Sequence, residues 1–350
     1  MTVLDDLTAQ RSMDPGGMAE LICRFPSMMK ESLDLVSSVP LSPDIRPGGV
    51  IFCGMGGSAI SADIASRLAE RMFDVPAIVV RGYDLPKFAG KDSLVFILSY
   101  SGNTEETLSC YEEALSSGAK IIAVTSGGKL AERSIEKGHA IFKIPAGLPP
   151  RASMPYLLVP ILYVLDRIFP GTDLLGQIGE SVGVLEEIKD MLKPEIPLSA
   201  NMAKQTAAAM IGKLPFIFGS EGGSDAAAYR WKCQISENSK MNACFNVFPE
   251  MDHNELVNLA GAGSKDVFAV FLRDERESGR MKKRIDVTEN IIRGSISGAA
   301  KIYSKGISHL SRILSLCYFG DFVSIYLAFL AGVDPMPVKA IEKLKKELAA

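Results

Sequence analysis

Through MAELICRFPSMMKESLDLVSSV, residues 18–39, apolar positions recur at three- and four-residue steps. That spacing lines one face of a helix, so residues 1–47 are expected to form a helical segment that packs on the first domain. Beyond Pro47 the pattern changes. The short apolar runs VIFCG, PAIVV, LVFILS, KIIAVTS and AIFKIP alternate with amphipathic stretches over 58–71, 105–116 and 130–137. Strands this apolar must be covered on both faces, which predicts a parallel sheet between layers of helices. A mostly helical, linker-like stretch from Arg151 to Leu198 follows, broken by Pro170, Gly171, Pro194 and Pro197.

The pattern then restarts. LPFIFGSEGGSDAAAYRWKCQ matches PGGVIFCGMGGSAISADIASR when Ile217-Phe218 is laid on Ile51-Phe52, which brings Gly222-Gly223-Ser224 onto Gly56-Gly57-Ser58. The fold class expected is therefore α/β, two tandem domains of one type, each a parallel sheet flanked by helices, with extra N- and C-terminal helices. The first domain is assigned to 48–190 and the second to 191–350. The halves differ at one place: LVFILSYSGNTEET in the first answers to DVFAVFLRDERESG in the second, so only the first is expected to keep an anion pocket. Ile313 to Val333 is nearly long enough to cross a bilayer, but Gly320 and Asp321 interrupt it, and a charge at that depth is costly in lipid. Buried helices and no membrane association are the expectation.

Composition narrows the chemistry. A chain of 350 residues with 47% apolar and 23% charged positions is an ordinary globular one of about two domains. Its charge, 38 − 41 = −3, supplies no positive field for nucleic acid or an anionic membrane, so any phosphate must be gripped locally. Six scattered cysteines without a CxxC pair, and three histidines, argue against a zinc site or a disulfide framework. The start, MTVLDDLTAQRSMDPGG, has neither the basic nor the apolar part of a secretion signal, and a cytoplasmic location is expected.

The segment Ser99-Tyr100-Ser101-Gly102-Asn103-Thr104-Glu105-Glu106-Thr107 follows an apolar run and opens a helix. Hydroxyls and backbone N–H groups converging on a helix N-terminus bind phosphate without lysine, and Ser99, Ser101 and Thr104 are the candidate donors. The plainer alternative is a helix cap on Ser101 or Thr104. Upstream, Gly54-Met55-Gly56-Gly57-Ser58-Ala59 fits a dinucleotide fingerprint. The acidic ribose partner of that motif is missing, since Asp74 precedes the next strand and Arg81 follows it. Gly56 and Gly57 are read instead as letting the backbone approach a small sugar, with Ser58 adding a hydroxyl.

GMGGSAI, SYSGNTEET, AVTSGGKLAE, PAGLPPRASMPYLL, SENSK, PEMDHNE and GVDPMPVKAIEKLK, in this order, resemble the bifunctional phosphoglucose/phosphomannose isomerases of the sugar isomerase (SIS) superfamily. The resemblance implies an aldose–ketose isomerase interconverting glucose 6-phosphate or mannose 6-phosphate with fructose 6-phosphate through a cis-enediol, with no metal or organic cofactor. It implies Glu237 as the proton shuttle, His253 as the ring opener reaching the site of a partner in a homodimer, and Arg151 near the enediolate. A carboxylate withdrawn from water suits such a shuttle, and an imidazole can protonate the ring oxygen while accepting the anomeric proton. Of Lys339, Lys343, Lys345 and Lys346, the family's IxxLK pattern favours Lys345. Two departures stand out, extra residues around Gly279 to Ser311 and Met336 where the family commonly has threonine.

A sugar-phosphate sensor is the alternative, because SIS domains also serve regulation. A sensor needs the hydroxyl pocket but no acid, base or ring opener, and this chain has no basic helix-turn-helix segment. An aminating relative would need an ammonia-source domain that the chain lacks.

Overall fold

A computed structural model of the chain describes residues 2–37, 39 and 46–348. Five strands, β1 (Gly49–Gly54), β2 (Ala77–Val80), β3 (Ser93–Leu98), β4 (Lys120–Thr125) and β5 (Ala140–Lys143), form one sheet in the order β2-β1-β3-β4-β5. Every pairing is parallel. The two strands without polar alternation, β1 and β3, are buried along their whole length, as their composition requires. On one face Ile51, Cys53, Val95 and Ile97 pack with Cys110, Tyr111 and Ala114 of the helix Glu105–Ser117. On the other, Phe52 and Phe96 stack at 5.2 Å. Because the chain leaves β1 toward β2 on one side and returns through β3 on the other, the carboxyl ends of β1 and β3 flank a topological switch point.

A second sheet contains β6 (Leu214–Ser220), β7 (Cys244–Phe248), β8 (Val267–Arg273) and β9 (Gly298–Tyr303), parallel and in the order β7-β6-β8-β9. It repeats the first sheet without a fifth strand. Ile51 lies opposite Val95 and Ile217 opposite Val270, so the register sets Val270 against Val95, three residues beyond the pairing of LVFILS with DVFAVF. Phe216, Phe218, Phe248 and Phe271 fill its core.

The described residues divide into two units, and the structure corrects two expectations. The segment 1–47 does not belong wholly with the first domain. Met1–Cys23 joins Glu187–Ser304 and Leu316–Ala350 in the C-terminal unit, whereas Arg24–Glu186 and Lys305–Ser315 form the N-terminal unit. The polar partners explain the split: Tyr318 Oη donates to Ile22 O at 2.9 Å and Leu198 N–H to Asp5 Oδ1 at 2.7 Å, while Tyr156 Oη donates to Glu31. Residues 305–315 join the N-terminal unit because Glu180 accepts from Ser308 N–H at 2.9 Å and from Ser311 Oγ at 3.1 Å. The stretch 279–311 holds the crossover helix Gly279–Ile292 and the edge strand β9.

The second correction concerns Ile313 to Val333, where one unbroken helix, His309–Leu330, runs through Gly320 and Asp321. It is long and apolar enough to cross a membrane, yet 89% of its most apolar 18-residue window is buried in the protein. Gly320 is there for space. A Cβ at that position would lie 2.3 Å from Nε1 of Trp231, the only tryptophan, which donates to Leu316 O at 2.8 Å. Gly320→Ala gains helix propensity of roughly 1 kcal/mol but forces a fully buried indole to move, at a cost of about 1–3 kcal/mol or more. Net destabilisation is expected, with a lower melting temperature and a red-shifted tryptophan emission; an unchanged melt and spectrum would contradict this packing.

Candidate active site

The SYSGNT loop is held by its own polar groups. Ser99, buried, accepts from Gly102 N–H at 3.1 Å and donates to Thr104 Oγ1 at 3.0 Å. Gly102 has φ +69°, and a Cβ there would fall 1.8 Å from Gly127 O, so only glycine fits. The neighbouring loop closes against it, with Leu130 N–H donating to Gly102 O at 3.0 Å and Lys129 N–H to Asn103 Oδ1 at 3.1 Å. Tyr100 Oη donates to Pro145 O at 3.0 Å and accepts from Leu148 N–H at 2.7 Å, tying in the chain ahead of Arg151.

Thr104 occupies the N-cap position of the helix Glu105–Ser117, but no side chain caps that helix. The capping explanation of these hydroxyls therefore fails. The first-turn N–H groups have no capping side chain, and they lie beside the hydroxyls of Thr104 and of exposed Ser101, with Glu105 and Glu106 in the same turn. Ser99, whose hydroxyl hydrogen goes to Thr104, organises this niche from behind. Sequence reasoning missed Thr107: its Oγ1 is buried one turn into the helix without a hydrogen-bond partner. The threonine run NTEET carried that signal.

Past β1, Gly56 and Gly57 open the helix Gly56–Met72, and Ser58 is buried in its first turn. At Gly57 the close approach is made by protein, whereas a Cβ on Gly56, at φ +52°, would meet nothing within 4 Å. A Cβ on Gly57 would lie 2.7 Å from Pro150 O and 3.4 Å from Arg151 Cα. Gly57 thus seats the short turn Pro150–Ala152 against the β1 turn and brings buried Arg151 to the same region of the unit as Ser58.

The loop after β8 in the C-terminal unit lacks this glycine–hydroxyl arrangement and carries its own ion pairs. Arg273, buried at the end of β8, donates from Nε to Glu277 Oε1 at 2.9 Å and from Nη1 to Asp286 Oδ1 at 2.9 Å.

The C-terminal unit carries the other predicted residues. Glu237, half-buried, lies on a π-turn, Ile235–Ser239, that continues the helix Ser224–Gln234. His253 is exposed at the end of the turn Glu250–His253. That turn is anchored by Asp252, which accepts from Arg284 Nη1 and Thr288 Oγ1, each at 2.8 Å, both on the crossover helix. Burial pushes the nearby Glu255 carboxyl above its ordinary range, and its Oε2 has no hydrogen-bond partner. Lys345, like Lys339, Lys343 and Lys346, is exposed on the helix Lys339–Leu348, which buries no residue. Among the described residues no three His, Cys, Asp or Glu side chains are grouped as metal ligands require.

Residues 46–147 match the SIS domain and residues 199–348 match the bacterial phospho-glucose isomerase C-terminal SIS domain. The chain is 40% identical over 95% of its length to the bifunctional phosphoglucose/phosphomannose isomerase of Caldicellulosiruptor bescii, covering 99% of that protein. This chain belongs to the bifunctional phosphoglucose/phosphomannose isomerase family. The Aquifex aeolicus protein of the same name is 39% identical over 88% of the chain and 93% of its own length. A glucose-6-phosphate isomerase like protein from Thermus thermophilus shares the fold, with a TM-score of 0.66 at 21% identity over 99% of both chains.

In this bifunctional isomerase family member the niche depends on the Gly102 contact. Gly102→Ala is expected to displace the loop and weaken inorganic phosphate and fructose 6-phosphate binding at least about tenfold, since the added Cβ meets backbone rather than a movable side chain. Calorimetric titration reads this, and unaltered affinity would show that the anion binds elsewhere.

Proposed function

We propose that this protein interconverts glucose 6-phosphate or mannose 6-phosphate with fructose 6-phosphate through a cis-enediol, without a metal or organic cofactor. Moving a carbonyl between C1 and C2 needs a phosphate anchor, a ring opener, a base that shuttles one proton, and a cation near the enediolate oxygens. The observation that carries the reading is the uncapped N-terminus of the helix Glu105–Ser117, ringed by Ser101 and Thr104 and braced by Ser99. It offers a dianion hydroxyls, backbone donors and a helix dipole, with no lysine committed to it.

In this proposal Arg151 offsets the negative charge of the enediolate, worth about 10²-fold in rate or more, and Gly56, Gly57 and Ser58 shape the β1 side of the sugar site. Glu237 takes the proton from one carbon and returns it to the other. Its place on a π-turn supports that role, because such turns are frequent at functional sites. His253 opens the ring. Its exposure on an anchored turn fits a side chain that serves the partner in a homodimer. Lys345 is the C-terminal lysine of the set, with Lys339, Lys343 and Lys346 as the competing positions. A pocket that tolerates both epimers asks little discrimination at C2. The six cysteines are all unbridged, in keeping with a reducing cytoplasm.

The test is complementation, assayed with EDTA present. Glu237→Gln and His253→Ala should each lose about 10²- to 10⁴-fold in turnover, with fructose 6-phosphate binding by Glu237→Gln retained. Mixed and allowed to exchange subunits, they should recover about a quarter of wild-type activity, since half of the dimers are mixed and each has one intact site. Near-normal turnover by Glu237→Gln would refute its role, and no recovery on mixing would refute the shared site. Wild-type protein that binds fructose 6-phosphate but converts neither aldose would be a sensor.

A further inference from the structure

The helix Ser224–Gln234 and the π-turn beyond it place residues 230, 234 and 238 at four-residue steps, on one stripe. All three reach the helix His309–Leu330. Arg230 donates from Nε to Asp321 Oδ1 at 2.9 Å and from Nη2 to Oδ2 at 2.7 Å. Gln234 Nε2 donates to Asp321 Oδ1 at 2.8 Å, and Asn238 Nδ2 donates to Ser324 Oγ at 2.9 Å. Ser324 Oγ in turn donates to Asp321 O at 2.7 Å. All five side chains are at least 97% buried. The far end of the turn is clipped as well, where Lys240, at φ +57°, donates from Nζ to Glu237 O at 2.6 Å and to Pro335 O at 3.0 Å.

A buried ion pair is a poor way to gain stability, because apolar residues of similar volume do as well or better. What it does supply is register. Two apolar helices can slide or rotate against each other at small cost, whereas a bidentate carboxylate–guanidinium contact allows one alignment. A π-turn persists only where its surroundings hold it. Here the polar stripe runs along the buried face of the turn and ends at Asn238, the residue after Glu237.

We propose that Asp321 and Ser324 are positioning residues for Glu237. Through Arg230, Gln234 and Asn238 they fix the π-turn and with it the aim of the Glu237 carboxylate. The inference rests on the reading of Glu237 as the proton shuttle. It also accounts for the one acidic residue in the core helix His309–Leu330.

The test is steady-state kinetics with fructose 6-phosphate on Ser324→Ala, on the double variant Arg230→Met with Asp321→Leu, and on Glu237→Gln. The double change removes both charges together, so no lone ion is left buried. The expected result is cooperative thermal unfolding with KM within about twofold of wild type, kcat lowered about three- to tenfold in Ser324→Ala and about ten- to a hundredfold in the double variant. The acid limb of the pH dependence of kcat/KM, which reports the base, should move in both. Wild-type kcat and an unmoved pH profile in a folded double variant would overturn the proposal. If the double variant does not fold, an unchanged kcat in Ser324→Ala overturns it. An inactive Glu237→Gln beside fully active network variants sinks the positioning role alone, whereas an active Glu237→Gln removes the base and the proposal with it.

Discussion

A phosphate dianion leaves water only where donors already stand in place for it, and the N-terminal unit is organised around that constraint. Parallel strands put the carboxyl ends of β1 and β3 on either side of the switch point, and the chain after each turns into a helix. After β3 the turn is held by Ser99 and Gly102 rather than by a cap on the helix, so the first-turn amides stay available. The loops around it, through Tyr100 and Asn103, spend their hydrogen bonds on bracing that arrangement.

The duplicated unit shows the same architecture without the same constraint. After β8, Arg273 is satisfied from within by Glu277 and Asp286. That unit instead holds a carboxylate on a π-turn, braced by polar side chains against a core helix, and a histidine on a turn anchored by Asp252. The division of labour is physical. One copy leaves its helix terminus without a capping side chain, and the other pairs the charges of its loop internally and carries Glu237 and His253 on the connections around β7.

Much of this was legible along the chain. The described strands divide into two parallel sheets as the apolar runs and repeated glycine turns imply, because runs such as LVFIL and VFAVF leave a strand no polar face to expose. What was not legible depended on partners distant in sequence. The grouping of Met1–Cys23 with the C-terminal unit rests on Tyr318 and Asp5, almost 300 and 200 residues from the atoms they meet. Gly320 and Asp321 read as interruptions, yet they are the places where Trp231 and Arg230 are received. Gly57 is met by Pro150, far from it in sequence. A glycine or a buried charge announces that something comes close, and its neighbour is decided only by the fold.

The most direct measurement is a crystal structure of the protein with fructose 6-phosphate. The account predicts phosphate oxygens on Thr104 and on the first-turn amides of the helix Glu105–Ser117. A phosphate bound away from the SYSGNT loop would contradict it.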